Sequence, residues 1–491
     1  IDLFREGFVG HITPAQIFSA GSVTDSGGGL DSLPRAAIVD VDATSYTVPT
    51  RCYILSGGLN GNAPHISYMR LDTDTIPGSG EDIGLPGGHT THNFTTLPSG
   101  TGFWGEDVII YGINGTRTLL ISWNDNTDGD IASVGITGSS PANMDADFMS
   151  TVPSGAAVLT RNVPHRLVEG PDRILYITNG RYLNAFDGFI GTNGTLRTQV
   201  YDAGVGWTIT DLRVDKNFLV VYMMRIGADA NPTLAGDCRI AFWQPGEIGQ
   251  GIVYSVDDFI VTAGFNAFGS ALAFTSGKNQ TTKLMTPQGR VLTENPTAVY
   301  GTPPSPNSIE TYQGNLLWVP GDSLSAFICQ YGGGGLHVPY VVNDGTNNAT
   351  TIGFIKNLQT NKLYVGGLFG ATYKIIFLNN SGGYGTTARD LRSRLYTLPY
   401  NAIIKKIKVF FSQMASGSTA QFSLFKNYVA SSVGTAGTDL WNETLDFATF
   451  GALTEYEFSK TIPNTSAFYI NIRVTGQVSV RAIVVEYEPS R

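Results

Sequence analysis

Apolar residues in this chain fall in short paired runs, each pair split by a turn rich in Gly, Asn or Pro. Seven pairs stand out: RCYILSGGLNGNAPHISYMRLD from Arg51, EDVIIYGINGTRTLLISW from Glu106, DRILYITNGRYLNAFDG from Asp172, KNFLVVYMMRIG to CRIAFWQPG from Lys216, SALAFTSGKNQTTKLMTPQG from Ser270, NLLWVPGDSLSAFICQY from Asn315 and NKLYVGGLFGATYKIIFL from Asn361. Short runs rich in β-branched and aromatic residues and bounded by turn residues predict strands, and the turns between them predict hairpins. A hairpin that recurs roughly every 40 to 50 residues is the footprint of β-propeller blades. The expected body is all-β, an irregular propeller of about five to seven blades over residues 49–385.

The pattern changes at both ends. Residues 1–48 form a heterogeneous arm and linker: Phe4, Phe8, Val9 and Ile12 lie among polar residues, and SAGSVTDSGGGLDS follows. Scattered apolar anchors before a Gly/Ser stretch predict an arm on a neighbouring surface, with Phe4, Phe8 and Ile12 as interaction candidates. AAIVDVD at 36–42 alternates with period two, as either the first propeller strand or the strand that closes the ring. Over 386–491 the runs AIIKKIKVFFSQ, AQFSLFKNY, TEYEFSKTI, AFYINIRVTG and VSVRAIVVEYE are longer and alternate cleanly. They predict a C-terminal antiparallel β-sandwich. The long loops 72–102 and 301–308 are expected to bind something or to be ordered by a partner.

Composition narrows the function classes. The 491 residues exceed what one hydrophobic core usually serves, so a repeat domain plus a further module is expected. Charged residues make up only 14% against 59 glycines, the balance of many short strands joined by tight turns. A net charge of −9 lacks the attraction that drives phosphate binding, which argues against a DNA-reading protein. The longest apolar runs, such as FLVVYMM at 218–224, fall well short of a bilayer span, so no membrane insertion is expected. Cys52, Cys238 and Cys329 are odd in number and widely spaced, which predicts buried strand residues, with neither a zinc site nor a disulfide framework. The chain opens at Ile1, which points to processing, trimming or disorder upstream.

Chemistry-bearing residues are sparse. His89 and His92 share a loop without accompanying acidic or Cys ligands, so they read as a solvated pair. NDNTDGDI at 124–131 starts like a calcium loop, but Gly135 stands where a bidentate Glu belongs, so a hairpin turn is expected and no metal. The acid pairs Glu81/Asp82, Glu106/Asp107, Asp145/Asp147 and Asp257/Asp258 are neighbours that a strand sends to opposite faces, unlike the facing carboxylates of a glycosidase. No catalytic residue, cofactor or nucleophile elbow is assigned, and a non-enzyme is expected. Trp104, Trp123, Trp207, Trp243, Trp318 and Trp441 read as blade-packing residues. The single basic concentration comprises Arg389, Arg392 and Arg394 with Lys405, Lys406 and Lys408. It reads either as a solvated strand face with interdomain ion pairs or as a site for an acidic partner or nucleic-acid phosphate.

In arrangement the chain resembles the β-propeller tail proteins of tailed bacteriophages, in particular the nozzle or packaged-DNA-stabilisation proteins of short-tailed phages. The likeness lies in the N-terminal arm, the propeller of irregular hairpins and the closing β module that ends in FYINIRVTGQVSVRAIVVEYE at 468–488. The resemblance implies a virion tail location and a homo-oligomeric ring, commonly a hexamer, packed against other tail or neck proteins. Such a ring forms part of the conduit for genome ejection, with DNA passing and not binding tightly. The negative charge of the chain, multiplied around a ring, would repel phosphate and favour sliding. The competing classes are a receptor- or carbohydrate-binding propeller at the tail tip and a propeller glycosidase.

Overall fold

The computed structural model describes residues 16–18, 21–22, 24–25, 30, 32–40, 51–57, 65–71, 73–76, 91–93, 104–124, 129–136, 145, 147–152, 159–161, 163–191, 193–226, 237–258, 260–276, 282–295, 304–320, 327–331, 336–344, 346–359, 362–377, 389–392, 396–425, 439–476, 478 and 480–490. Two compact units emerge. One comprises Gly21–Phe327 with Val342–Asn379, the other Asn380–Arg491 with Ile1–Ala20 and Ile328–Val341.

The first unit is a seven-bladed β-propeller. Its blades open with the strands Pro34–Asp40, Trp104–Ile113, Leu167–Glu169, Trp207–Asp215, Ile260–Ala267, Ile309–Tyr312 and Ala349–Gln359, each paired antiparallel with the strand that follows it. Blades 3, 4 and 5 have four strands of their own. Opening strands contact those of neighbouring blades, and Ala349–Gln359 packs on Pro34–Asp40 to close the ring. Each hairpin expected from sequence supplies paired strands of one blade. AAIVDVD holds most of the first opening strand. The outermost strand of blade 7 is instead Gly21–Ser22, antiparallel to Thr372–Phe377, and Thr24–Asp25 lies parallel to Thr75–Ile76 in blade 1.

Period-two alternation explains why the blade strands read as unbroken apolar runs. In Arg51–Ser56, Cys52 and Ile54 enter the core shared with blade 7, while Tyr53 and Leu55 enter the core shared with blade 2. In Phe218–Arg225, Leu219, Val221 and Met223 face blade 3, and Val220 and Tyr222 face blade 5. A strand sandwiched on both faces needs apolar residues at every position, and each fully buried large side chain contributes about 1.5–3 kcal/mol. The closing contact depends on a missing side chain. A Cβ on Gly353 would lie 1.9 Å from the Pro34 carbonyl oxygen, so only glycine lets the backbones of blades 7 and 1 meet.

In the second unit a six-stranded antiparallel sheet curls into the sandwich expected from sequence. The 21-residue strand Glu455–Thr475 pairs along its first part with Tyr396–Phe411 and along its second with Thr419–Phe425 and Arg389–Arg392. Residues from both parts, among them Ile407, Val409, Phe422, Trp441, Ile472 and Ile483, share one core. No helix among the described residues is long and apolar enough to cross a membrane.

Candidate functional site

The most highly charged buried region lies at the propeller axis, where the opening strands begin. Five of these strands carry an extra residue against their partner, at Arg35, Glu106, Thr210, Thr262 and Gly353, and Ala349–Gln359 has two further breaks, at Thr350 and Leu358. A bulge twists the strand and re-aims the adjoining side chains, so the recurrent break turns polar groups toward the ring interior. In blade 2, Asp107 Oδ1 accepts from its own neighbour Val108 N at 3.0 Å, and Oδ2 from Leu167 N of blade 3 at 3.0 Å. In blade 4, Asp211 repeats the motif, with Leu212 N at 2.9 Å and Gly264 N of blade 5 at 2.7 Å.

These clasps belong to a set that ties every blade to the next. Arg117 pairs with Asp40 between blades 2 and 1. Arg166, just ahead of the blade 3 strand, reaches Asp211 of blade 4, Nε to Oδ1, at 3.3 Å. Thr262 Oγ1 donates to the Pro304 carbonyl at 3.2 Å, on the segment leading into blade 6. Glu310 Oε2 of blade 6 accepts from Asn357 N of blade 7 at 3.3 Å, and Lys362 of blade 7 pairs with Asp74 of blade 1 at 2.7 Å.

At the centre, Arg166 lies 3.5 Å from Asp107 Oδ2 through Nη1 and holds Asn307 Oδ1 at 3.4 Å. Asn307 Nδ2 donates across the ring to the Glu106 carbonyl at 3.0 Å, and Arg213 Nη2 donates to the Pro306 carbonyl at 3.4 Å. The described part of the loop ending at 308 thus reaches the axial side chains through Pro306 and Asn307. Burial alone would lower the Arg166 pKa, but Asp107, Asp211 and Glu106 outweigh it and hold the guanidinium charged. Arg35 is lowered by burial, with Glu106 opposing. Both Asp211 oxygens are occupied, Oδ1 by Leu212 N and Arg166, Oδ2 by Gly264 N and by Arg213 Nη2 at 3.0 Å. A carboxylate so held has no lone pair aimed at a reactant. The cluster binds blades together.

His165 beside it is fully buried. Its backbone N donates to Glu106 Oε2 at 2.6 Å, and its ring Nδ1 sits 2.7 Å from the Thr178 carbonyl, which assigns the proton to Nδ1. Burial lowers its pKa, so the ring is neutral. Nε2 and Asn124 Oδ1 have no hydrogen-bond partner, and both face Gly129, where a Cβ would lie 2.8 and 2.7 Å from them. Further out, Asp130 accepts from Ile131 N at 2.6 Å and from the Ser150 hydroxyl. Burial pushes its pKa up to about 6. Asn124 and Asp130, the first and last polar residues of the calcium-like stretch, therefore point into the protein. Among the described residues no group of three or more His, Cys, Asp or Glu side chains is placed to hold a metal ion.

The other residues singled out in the sequence do not converge. Phe4, Phe8, Ile12, Arg394, His89, Glu81 and Asp82 lie outside the described residues. Arg389 and Arg392 stand opposite Val474 and Asn471 in the C-terminal sheet. Lys405, Lys406 and Lys408 form ion pairs with Glu488, Glu457 and Glu455 at 2.8, 3.0 and 3.1 Å, as an ion-paired strand face would. Cys52, Cys238 and Cys329 are buried, and Trp123, Trp243, Trp318 and Trp441 are buried in packing. Arg166, Asp211 and Asn307 were not singled out by sequence reasoning. Their signal was charge inside apolar alternation, as in TITDLRVD, where Asp211 and Arg213 share one side of a strand.

No family model and no curated protein matches the chain. Among solved structures it is similar to Raptor from Chaetomium thermophilum, with a TM-score of 0.45 at 11% identity, over 75% of this chain and 30% of that one. It is also similar to BamB from Moraxella catarrhalis, with a TM-score of 0.35 at 10% identity over 76% and 98%, and to the Dos1 propeller, with 0.39 at 10% over 74% and 96%. The chain spans less than a third of the Raptor chain. At such identities no activity, substrate or partner carries over.

Proposed function

We propose that the protein is a non-catalytic structural component of a phage virion tail, working as a ring of copies that forms part of the genome-ejection conduit. The observation that carries the scaffold part of this reading is the axial cluster. Its charges are engaged with one another and with the backbone of blades 2 to 6, an arrangement that resists deformation. The conduit would belong to the ring of copies, since Arg166, Asn307 and Arg213 occupy the propeller's own centre. The tail assignment follows from the likeness in arrangement to the nozzle proteins, and the net charge of −9 suits a wall along which DNA slides.

Mass photometry of the purified chain tests the assembly, with a discrete multiple of 52.6 kDa expected. Imaging of native particles tests the location, with density for the chain expected in the tail around its axis. A stable monomer that cleaves glycans would overturn the reading, as would tight binding of duplex DNA by the ring at physiological salt.

A further inference from the structure

We propose that the outer edge of blade 4 takes up an extended segment of another protein as an added strand, and that this segment alternates apolar residues and carries a basic residue at each end. The inference goes beyond the ring of copies and does not depend on it. Blade 4 ends in Ile252–Val256, and no strand among the described residues pairs with its far side. Other blades blunt that edge. Blade 7 is closed by Gly21–Ser22 and blade 1 by Thr24–Asp25. Blade 2 ends in Gly129–Gly135, which Leu159 and Asp145 bridge at Gly129 and Ser133. Blades 3 and 5 end in strands with a register break, and the blade 3 strand exposes Arg197. Breaks, charges and covering segments are the devices that stop a sheet edge from pairing with another chain. Ile252–Val256 has none of them: it stays in unbroken register with Cys238–Phe242 and reads IVYSV, without charge or proline. An edge in this state is a template for strand addition.

Side chains and charge define the segment. Ile252, Tyr254 and Val256 alternate onto the face toward blade 5, where Val256 is buried in the shared core. Ile252 is 56% exposed, and Tyr254 is half-buried, edge-on to Phe242 at 6.0 Å. A strand laid alongside sets alternate residues against Ile252 and Tyr254, and apolar ones bury that surface. Ile248, in the turn before the strand, is fully exposed and extends it. From Gln244 to Asp257 the charged residues are Glu247 and Asp257, one near each end of the strand and both exposed. Basic residues at the ends of the added segment complement them. A second copy does not. Antiparallel self-pairing about Tyr254 sets each Asp257 against the turn that holds the other copy's Glu247, acid toward acid.

The probe is a fluorescein-labelled peptide, Lys-Val-Thr-Val-Thr-Val-Lys, titrated into the full chain and followed by anisotropy. Binding is expected, with hydrogen exchange slowed at Ile252–Val256 in the complex. The same peptide with Glu in place of both Lys should bind about tenfold more weakly. Ile252→Lys, its folding checked by an unchanged urea midpoint, should weaken the Lys peptide by about tenfold or more. Glu247→Lys combined with Asp257→Lys should reverse the order of the two peptides. Absence of binding at about 1 mM peptide overturns the proposal. Equal affinity for both peptides, or binding that leaves those amides unprotected, overturns it as well. If mass photometry shows that Ile252→Lys splits an oligomer of the unaltered protein, a second copy occupies the edge and the proposal falls. The mass of the unaltered protein tests the ring separately, whatever the peptides do.

Discussion

Asp211 at the propeller axis and Glu455 on the C-terminal sheet are both ion-paired carboxylates, but they do different work. Asp211 is fully buried and gathers two backbone amides and two arginines from three blade regions. Glu455 is largely exposed and meets one lysine, Lys408, at 3.1 Å. In water the second pair gains little over separate hydration, whereas the first has no water to fall back on. The energetic weight of a charge here depends on how completely its lone pairs are engaged, and the ring's cohesion follows from that engagement. It also explains why so low a charged fraction, 14%, still yields a polar tie at every blade interface.

The strongest way to break this contrast is Asp211→Ala. It strands the Arg166 guanidinium, whose other carboxylate contact, Asp107, is 3.5 Å away, and leaves Gly264 N without its acceptor. Loss of one partner from a buried pair costs about 3–5 kcal/mol. Urea unfolding followed by tryptophan fluorescence should show a matching drop in stability, because Trp207, Trp243 and Trp318 lie in blades 4 and 6. A change below about 1 kcal/mol would mean that the cluster is not the tie its geometry implies.

How far the sequence reaches is instructive at these same places. The seven hairpins were legible because burial on both faces forces apolar residues at successive positions, as in Cys52 to Leu55. The axial cluster was not, because Asp107, Arg166, Asp211 and Asn307 are far apart in the chain and meet only after ring closure. A bulge leaves no mark in composition either: Arg35, Glu106, Thr210, Thr262 and Gly353 share a structural position and no residue type. The loop 301–308 was expected to bind something or to be ordered by a partner, and its Pro304 and Pro306 carbonyls and Asn307 amide are engaged within the chain by groups that the sequence does not rank. The Lys405 to Lys408 face was half legible. Alternation placed the lysines on one strand, but their glutamate partners come from strands brought alongside by the fold.

Asp130 sharpens the comparison, as a buried carboxyl given an amide and a hydroxyl but no cation. Its pKa rises from the ordinary 3.8 to about 6, so the folded state holds a proton that the unfolded chain releases earlier. Its contribution is most favourable below pH 3.8, falls as pH climbs, and is fully unfavourable above about pH 6. The difference corresponds to about 3 kcal/mol. Asp130→Asn should therefore raise stability at neutral pH and lose that advantage by about pH 4, measured as the gap between the two urea midpoints. A gap that stays constant across this range would place the Asp130 carboxyl outside the low-dielectric interior.

At the weak end stands the Lys408 and Glu455 pair, whose side chains are 32% and 53% exposed. A double-mutant cycle with Lys408→Ala and Glu455→Ala should return a coupling of at most about 1 kcal/mol. That coupling should fade in salt at concentrations where the Debye length falls to about 3 Å, while the Asp211→Ala loss persists under the same conditions. Exposed pairs are screened because ions and water reach between them, and buried ones are not. If the surface coupling matched the axial one, completeness of engagement would not be what separates the two regions, and the cohesion of the ring would have to be sought in its apolar interfaces alone.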